Sequence, residues 1–198
     1  MTVIVALGDS TTAGTPGFRS PVETPPNGDG NVESQFAYWL MQADPDWQVL
    51  NRGVNGERSD EIAARFERDV VGARPAIVIV IAGVNDVYQG RSAEAVIAQL
   101  ADMYDRASRA GIRVVAGSIV PYNTASDDAN ARMRAINEWI AAEAARDSNV
   151  AFVDTRRAAA SADDPDRLSG SPDGLHPDVN GYRRMAEAIA PVIRAHLS

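Results

Sequence analysis

Residues 76–82 read Ala-Ile-Val-Ile-Val-Ile-Ala. A run this short, unbroken in apolar side chains and rich in β-branched ones, predicts a strand covered on both faces, as at the centre of a parallel sheet. Four further runs lie outward from it: residues 3–7 and 48–51 before it, 113–117 and 150–153 after it. The segments between have a different period. Ala93, Val96, Ile97, Leu100, Met103, Tyr104 and Ala107 recur at helical spacing and form one apolar stripe, and Ala129, Met133, Ile136, Ile140 and Ala144 repeat the pattern. Ser59, ahead of Asp60 and Glu61, reads as a helix N-cap followed by acidic first-turn residues. A closing helix is expected over roughly residues 180–197, kinked at Pro191. This alternation implies an α/β fold: a single domain over residues 1–198, a three-layer α/β/α sandwich around a five-stranded parallel sheet of flavodoxin-like order.

Composition narrows the function classes. At 198 residues the chain is long enough to bury roughly 70% of its unfolded surface without disulfide or metal staples. Nineteen basic against 27 acidic residues give a net charge of −8, which repels phosphate backbones and argues against a nucleic-acid partner. There is no cysteine, so disulfides, thiol nucleophiles and thiolate metal sites are excluded. Residues 1–10 carry no basic group ahead of a short apolar run, which fits neither a signal peptide nor a membrane span. The expectation is a cytoplasmic protein, or a secreted one if a leader has been removed. The sequence says nothing of oligomeric state.

Ligands of open parallel sheets bind beyond the carboxyl ends of the strands, so the residues just after each strand carry the functional argument. After the first comes Gly8-Asp9-Ser10, with glycine at a sharp turn and a serine aimed into the crevice. After the second comes Asn51-Arg52-Gly53-Val54-Asn55-Gly56, where glycine lets a backbone N–H approach a ligand closely. After the third, Gly83-Val84-Asn85-Asp86 offers an amide donor. Near the end, Pro172-Asp173-Gly174-Leu175-His176-Pro177 places a carboxylate three residues before a histidine, close enough for one tight turn to bring it to Nδ1. His196, the other histidine, is read as a surface residue of the last helix. Each motif alone is common turn chemistry. Their convergence on one sheet edge is not.

Together these four blocks, in this order across residues 8–177, resemble those of the SGNH (GDSL) hydrolase superfamily. The resemblance implies Ser10 as nucleophile, with Asp173 and His176 completing the triad. It also implies an oxyanion hole made by the N–H groups of Ser10 and Gly56 and the Asn85 side chain. Gly56 is preferred to Gly53 because lysophospholipase/thioesterase enzymes and rhamnogalacturonan acetylesterases place the functional glycine five residues after the strand-end asparagine, here Asn51. Asn180-Gly181-Tyr182 with Met185-Ala186 is similar to the family's closing helix, and Asp9 and Asp86 are expected to brace their loops. One departure is Thr11-Thr12, where many members have Leu-Thr or Leu-Ser, a change in the wall beside the nucleophile.

The implied reaction is hydrolysis of a small-molecule carboxylic ester through an acyl-enzyme, with no cofactor and no metal. Asp163, Asp164 and Asp166 around Pro165 lack calcium-loop spacing and read as a solvated acidic turn. Tyr88 and Tyr122 should flank the crevice as substrate-binding residues, and the absence of a long hydrophobic lid favours short acyl groups on a carbohydrate or small alcohol. Alternatives are a lysophospholipase/thioesterase-type acylhydrolase and a non-catalytic flavodoxin-like binding module. Residues 14–31, rich in proline and glycine, form a long loop whose role the sequence leaves open.

Overall fold

The computed structural model describes residues 1–197. Strand β1 (Thr2–Gly8) is followed by a short antiparallel ribbon, β2 (Phe18–Arg19) with β3 (Asp29–Gly30), and then by β4 (Trp47–Gly53), β5 (Ile77–Ile81), β6 (Arg113–Gly117) and β7 (Val150–Val153). The five long strands are all parallel, in the order β4-β1-β5-β6-β7. This is the expected flavodoxin-like arrangement, and the central run 77–81 is buried at every residue.

Alternation along the strands decides what each face holds. Val5, Leu7, Val78, Val80, Val114 and Ala116 point to one side, while Ile4, Ala6, Ile77, Ile79, Ile81 and Val115 point to the other. The first face is covered by α3 (Ser59–Ala64), α4 (Phe66–Asp69), α5 (Val84–Tyr88), α6 (Ala93–Arg109) and α7 (Asp127–Arg146), through side chains such as Ile62, Phe66, Leu100, Met103 and Ile136. The second is covered by α2 (Phe36–Ala43) and α9 (Val179–Leu197), through Phe36, Leu40, Tyr182, Met185 and Ile189. The single turn α1 (Ser10–Ala13) and α8 (Thr155–Ala159) sit at strand ends. Truncating a fully buried strand residue such as Ile79 is worth about 2–5 kcal/mol of stability.

Chain order reverses beside β1: the chain moves outward to β4, then returns past β1 to β5. The crevice between β1 and β5 is therefore the switch point at which such sheets bind ligands. Gly8, Gly53 and Ile81 lie side by side in the register, so three of the four motif blocks leave the sheet at one level.

Three local expectations need correction. The second strand runs on to Gly53, two residues further than its apolar pattern reaches. Ser59 is the first helical residue of α3 rather than its cap; Arg58 holds the cap position and donates its N–H to Glu61 at 2.9 Å, while Ser59 turns to Asp86. The turn at 163–166 is not simply solvated, because Asp166 takes the guanidinium groups of both Arg134 and Arg156 at 2.7 Å and joins α7 to α8. The closing helix α9 runs through Pro191 to Leu197, close to the expected bounds. No helix among the described residues is long and apolar enough to cross a membrane.

Candidate active site

Ser10 is presented by a strand that ends too tightly for a side chain. A Cβ on Gly8 would stand 2.3 Å from the Ile81 carbonyl oxygen and 2.2 Å from Thr12 Oγ1. Asp9 then caps α1, its Oδ1 accepting the Thr11 N–H at 2.9 Å, and Gly14 (φ 106°) closes the turn with an N–H to Ser10 O at 2.9 Å. The result is a serine fixed at the first position of a one-turn helix. Asp9 braces the turn, as expected, but it is wholly buried and its Oδ2 has no partner among the described residues. Burial pushes its carboxyl up to about 7, against the opposing hydrogen bonds from Thr11.

His176 arrives from a compact loop just before α9. Asp173 Oδ1 accepts the N–H groups of Leu175 and His176, both at 2.9 Å, which folds the chain back on itself. Its Oδ2 lies 2.7 Å from His176 Nδ1, and His176 Nε2 lies 2.8 Å from Ser10 Oγ. Ser171 tightens the same turn, accepting the Gly174 N–H and donating to His176 O. Burial disfavours the charged Asp173, yet hydrogen bonds from the His176 ring and from the N–H groups of Leu175 and His176 outweigh it and hold its carboxyl below the usual range. A carboxylate on Nδ1 fixes the tautomer that leaves Nε2 able to accept a proton. His196 lies elsewhere, bonded to Asn149 O at 3.0 Å.

The donor side is built differently. Asn85, at the start of α5, donates from Nδ2 to Glu57 O at 2.9 Å and keeps its second N–H. Gly56 adopts φ 80°, and its N–H has no partner among the described residues; the Ser10 N–H is likewise unengaged. Gly53 is spoken for: its N–H is taken by Asn51 Oδ1 at 2.9 Å, its carbonyl by Ser20, and a Cβ there would meet the Ala13 backbone at 2.1 Å. Behind this loop lies Arg65, 7% exposed, donating to Gly8 O and Asp69 at 2.8 Å and to Glu57 at 2.6 Å. Asp86 accepts both the Ser59 N–H (2.7 Å) and its hydroxyl (2.9 Å), joining the second motif block to the third.

These groups surround a cavity of about 160 Å³. Ser10, His176 and Asn85 line it together with Thr11 and Asn55, while Val84, Leu175, Tyr88 and Tyr122 form its apolar part. Gly56 is not in the lining and sits one residue past Asn55. The tyrosine rings meet edge to face at 5.6 Å, Tyr122 buried and Tyr88 61% exposed. A larger cavity, about 1190 Å³, opens by β7 and α8 but contains none of the triad. Sequence reasoning missed Ser171, Arg65, Glu57 and Asn55. Ser171 had a signal, a hydroxyl residue three before a turn glycine; Arg65 and Gly8 are 57 positions apart, and nothing local joins them.

The chain matches the model of the GDSL-like lipase/acylhydrolase family over residues 6–184. Among solved structures it is similar to a protein assigned to the lipolytic G-D-S-L family from Desulfitobacterium hafniense DCB-2, at 25% identity and a TM-score of 0.80, covering 97% of this chain and 99% of that one. A GDSL-like lipase from Bacteroides thetaiotaomicron matches at 22% identity and a TM-score of 0.78, covering 98% and 88%. A catalytic mutant of an acetylxylan esterase from Geobacillus stearothermophilus matches at 22% and 0.72, covering 97% and 94%. No curated protein matches the sequence. With the matched region taking in all four motif blocks, the chain belongs to the GDSL-like lipase/acylhydrolase family, and it is an esterase-type hydrolase of α/β fold.

Proposed function

We propose that the protein hydrolyses short-acyl carboxylic esters, of the acetyl type, on a carbohydrate or small alcohol, with Ser10, His176 and Asp173 as the catalytic triad. The carrying observation is the unbroken relay from Ser10 Oγ to His176 Nε2 (2.8 Å) and from His176 Nδ1 to Asp173 (2.7 Å). In this reading His176 takes the Ser10 proton as Oγ bonds to the acyl carbon. The carbonyl oxygen becomes an oxyanion held by the N–H groups of Ser10 and Gly56 and by the spare N–H of Asn85. Collapse breaks the ester C–O bond, and His176 gives its proton to the departing alcohol. Water, deprotonated in turn by His176, then attacks the acyl-serine; the released acid and the restored Ser10 hydroxyl balance the cycle.

The short-acyl preference rests on size. A space of about 160 Å³ is smaller than the roughly 300–1,000 Å³ that encloses drug-sized ligands. Its apolar wall of Val84, Leu175, Tyr88 and Tyr122 suits a methyl or ethyl group. The acetylxylan esterase that shares the fold acts on acetyl esters of a polysaccharide, in keeping with this choice. The test pairs p-nitrophenyl acetate with the octanoate. Wild type is expected to favour the acetate and to be labelled by a fluorophosphonate, while Ser10→Ala neither turns over nor labels. Esterase activity surviving in Ser10→Ala overturns the mechanism, and a preference for octanoate overturns the substrate class.

A further inference from the structure

The segment between α1 and α2 supplies no member of the triad, yet it builds a second cavity against the first. That cavity has a volume of about 300 Å³ and is lined by Thr15, Pro16, Phe18, Arg19, Glu23 and Asn55. Asn55 lines both spaces. Their chemistry differs. The space at Ser10 has an apolar wall of valine, leucine and tyrosine, whereas this one sets a guanidinium, a carboxylate, a hydroxyl and an amide beside Pro16 and Phe18.

The segment is anchored to the catalytic machinery at three points. Glu23 accepts the Ser20 N–H at 3.2 Å and the Asn55 N–H at 3.0 Å, one residue before Gly56. Ser20 donates its hydroxyl to Gly53 O at 2.5 Å. Thr15 donates its N–H to Ser10 O at 3.1 Å and accepts the Tyr182 hydroxyl at 2.7 Å from α9, the helix that follows His176. The second cavity thus shares Thr15 with the turn that carries Ser10, and Asn55 with the space in front of Ser10. The alcohol oxygen of an ester must collect its proton from the proposed base, His176. Arg19 is exposed, and among the described residues its guanidinium has neither a hydrogen-bond nor an ionic partner.

We propose that this cavity is the leaving-group subsite, that it takes the polyhydroxylated alcohol of an acylated sugar, and that Arg19 selects for it. The proposal rests on the ester-hydrolase reading above. Sugar hydroxyls both donate and accept, and the Arg19 guanidinium with the Glu23 carboxylate offers one partner of each kind. An anionic leaving group would meet that carboxylate and a chain of net charge −8 with a single arginine to offset them. A sugar held here is bound by the same carboxylate that fixes the Asn55 N–H, beside the oxyanion loop.

The experiment holds the acyl group constant and varies what leaves. Steady-state kcat/KM is measured for wild type and Arg19→Ala on p-nitrophenyl acetate, a mono-O-acetyl methyl xyloside and acetyl coenzyme A. Wild type is expected to hydrolyse the xyloside well and the coenzyme A ester poorly. Loss of one charged donor should lower the xyloside to p-nitrophenyl ratio about tenfold in Arg19→Ala. An unchanged ratio overturns the subsite, as does a wild-type preference for acetyl coenzyme A over the xyloside. Failure of wild type to cleave p-nitrophenyl acetate would instead remove the esterase reading, and the subsite with it. Thermal melts of both proteins, expected to coincide for an exposed residue, separate these outcomes from misfolding.

Discussion

The two halves of the site are held by opposite strategies. The base side is local: Ser171, Asp173, Gly174 and His176 satisfy one another within six residues, with one backbone bond to the outside, from the Asn123 N–H to Gly174 O. The donor side is distributed. Asn85 leans on Glu57, Glu57 on Arg65, Arg65 on Gly8 and Asp69, and Asp86 on Ser59, so four segments of the chain share one buried polar network. A local turn can be altered without disturbing the core, whereas a buried ionic network cannot lose a member cheaply. Chemistry and stability should therefore separate by half.

The largest expected effect lies on the base side and is kinetic. His176→Ala and Asp173→Asn should each lower kcat roughly 10⁴-fold, with melting temperatures close to wild type because the Asp173 side chain is about one-third exposed. A comparable loss of stability would show the loop to be part of the core and erase the contrast. On the donor side Arg65→Met should cost about 3–5 kcal/mol in denaturant unfolding, since it leaves Glu57 without its cation and buried Asp69 with only the exposed Arg68. Asn85→Ala should instead lower kcat about 10²–10³-fold with little change in KM. Comparing those two variants sharpens the distinction between the donor and its support.

The smallest effect, at most about 1.4 kcal/mol over any one pH unit, belongs to Asp9, at the seam between the halves. Its buried carboxyl keeps its proton up to about pH 7, whereas the unfolded chain releases it near 3.8. Between these values the native state binds more protons than the unfolded state. Stability from this group is therefore full below pH 4 and falls as pH rises toward 7, with a slope of at most about 1.4 kcal/mol per pH unit. Asp9→Asn keeps an oxygen for the Thr11 N–H and should flatten that slope, which urea titrations at a series of pH values will read. A slope identical to wild type would show that the native carboxyl is already ionised.

What the sequence made legible follows the same division. The sheet was readable because β-branched runs and helical stripes have local periods, and the triad loop because Asp-x-x-His closes within one turn. The order of strands followed from general rules of parallel sheets. Arg65 was invisible because its function lies in contacts with Gly8, Glu57 and Asp69 that only tertiary folding creates. Ser59 misled because a serine before two acidic residues is a sound cap signal, and here the hydroxyl is drawn to a buried carboxylate from another segment. The proline- and glycine-rich stretch hid its order for a related reason: Phe18 is buried beside Gly14, Gly28 and Gly30 of the loop itself, and Ser20 is held by Gly53 O, 33 positions away.

The proposed nucleophile and base, Ser10 and His176, are 166 positions apart, one just past the first strand and the other just before the last helix. A ribosome-bound chain that has already made its whole sheet still lacks His176, the proposed general base. Closing so long a contour is an entropically late event in folding. Recovery of turnover after dilution from denaturant would thus time the docking of the segment that carries His176, and under the proposed mechanism a nascent chain is inactive until that segment has emerged.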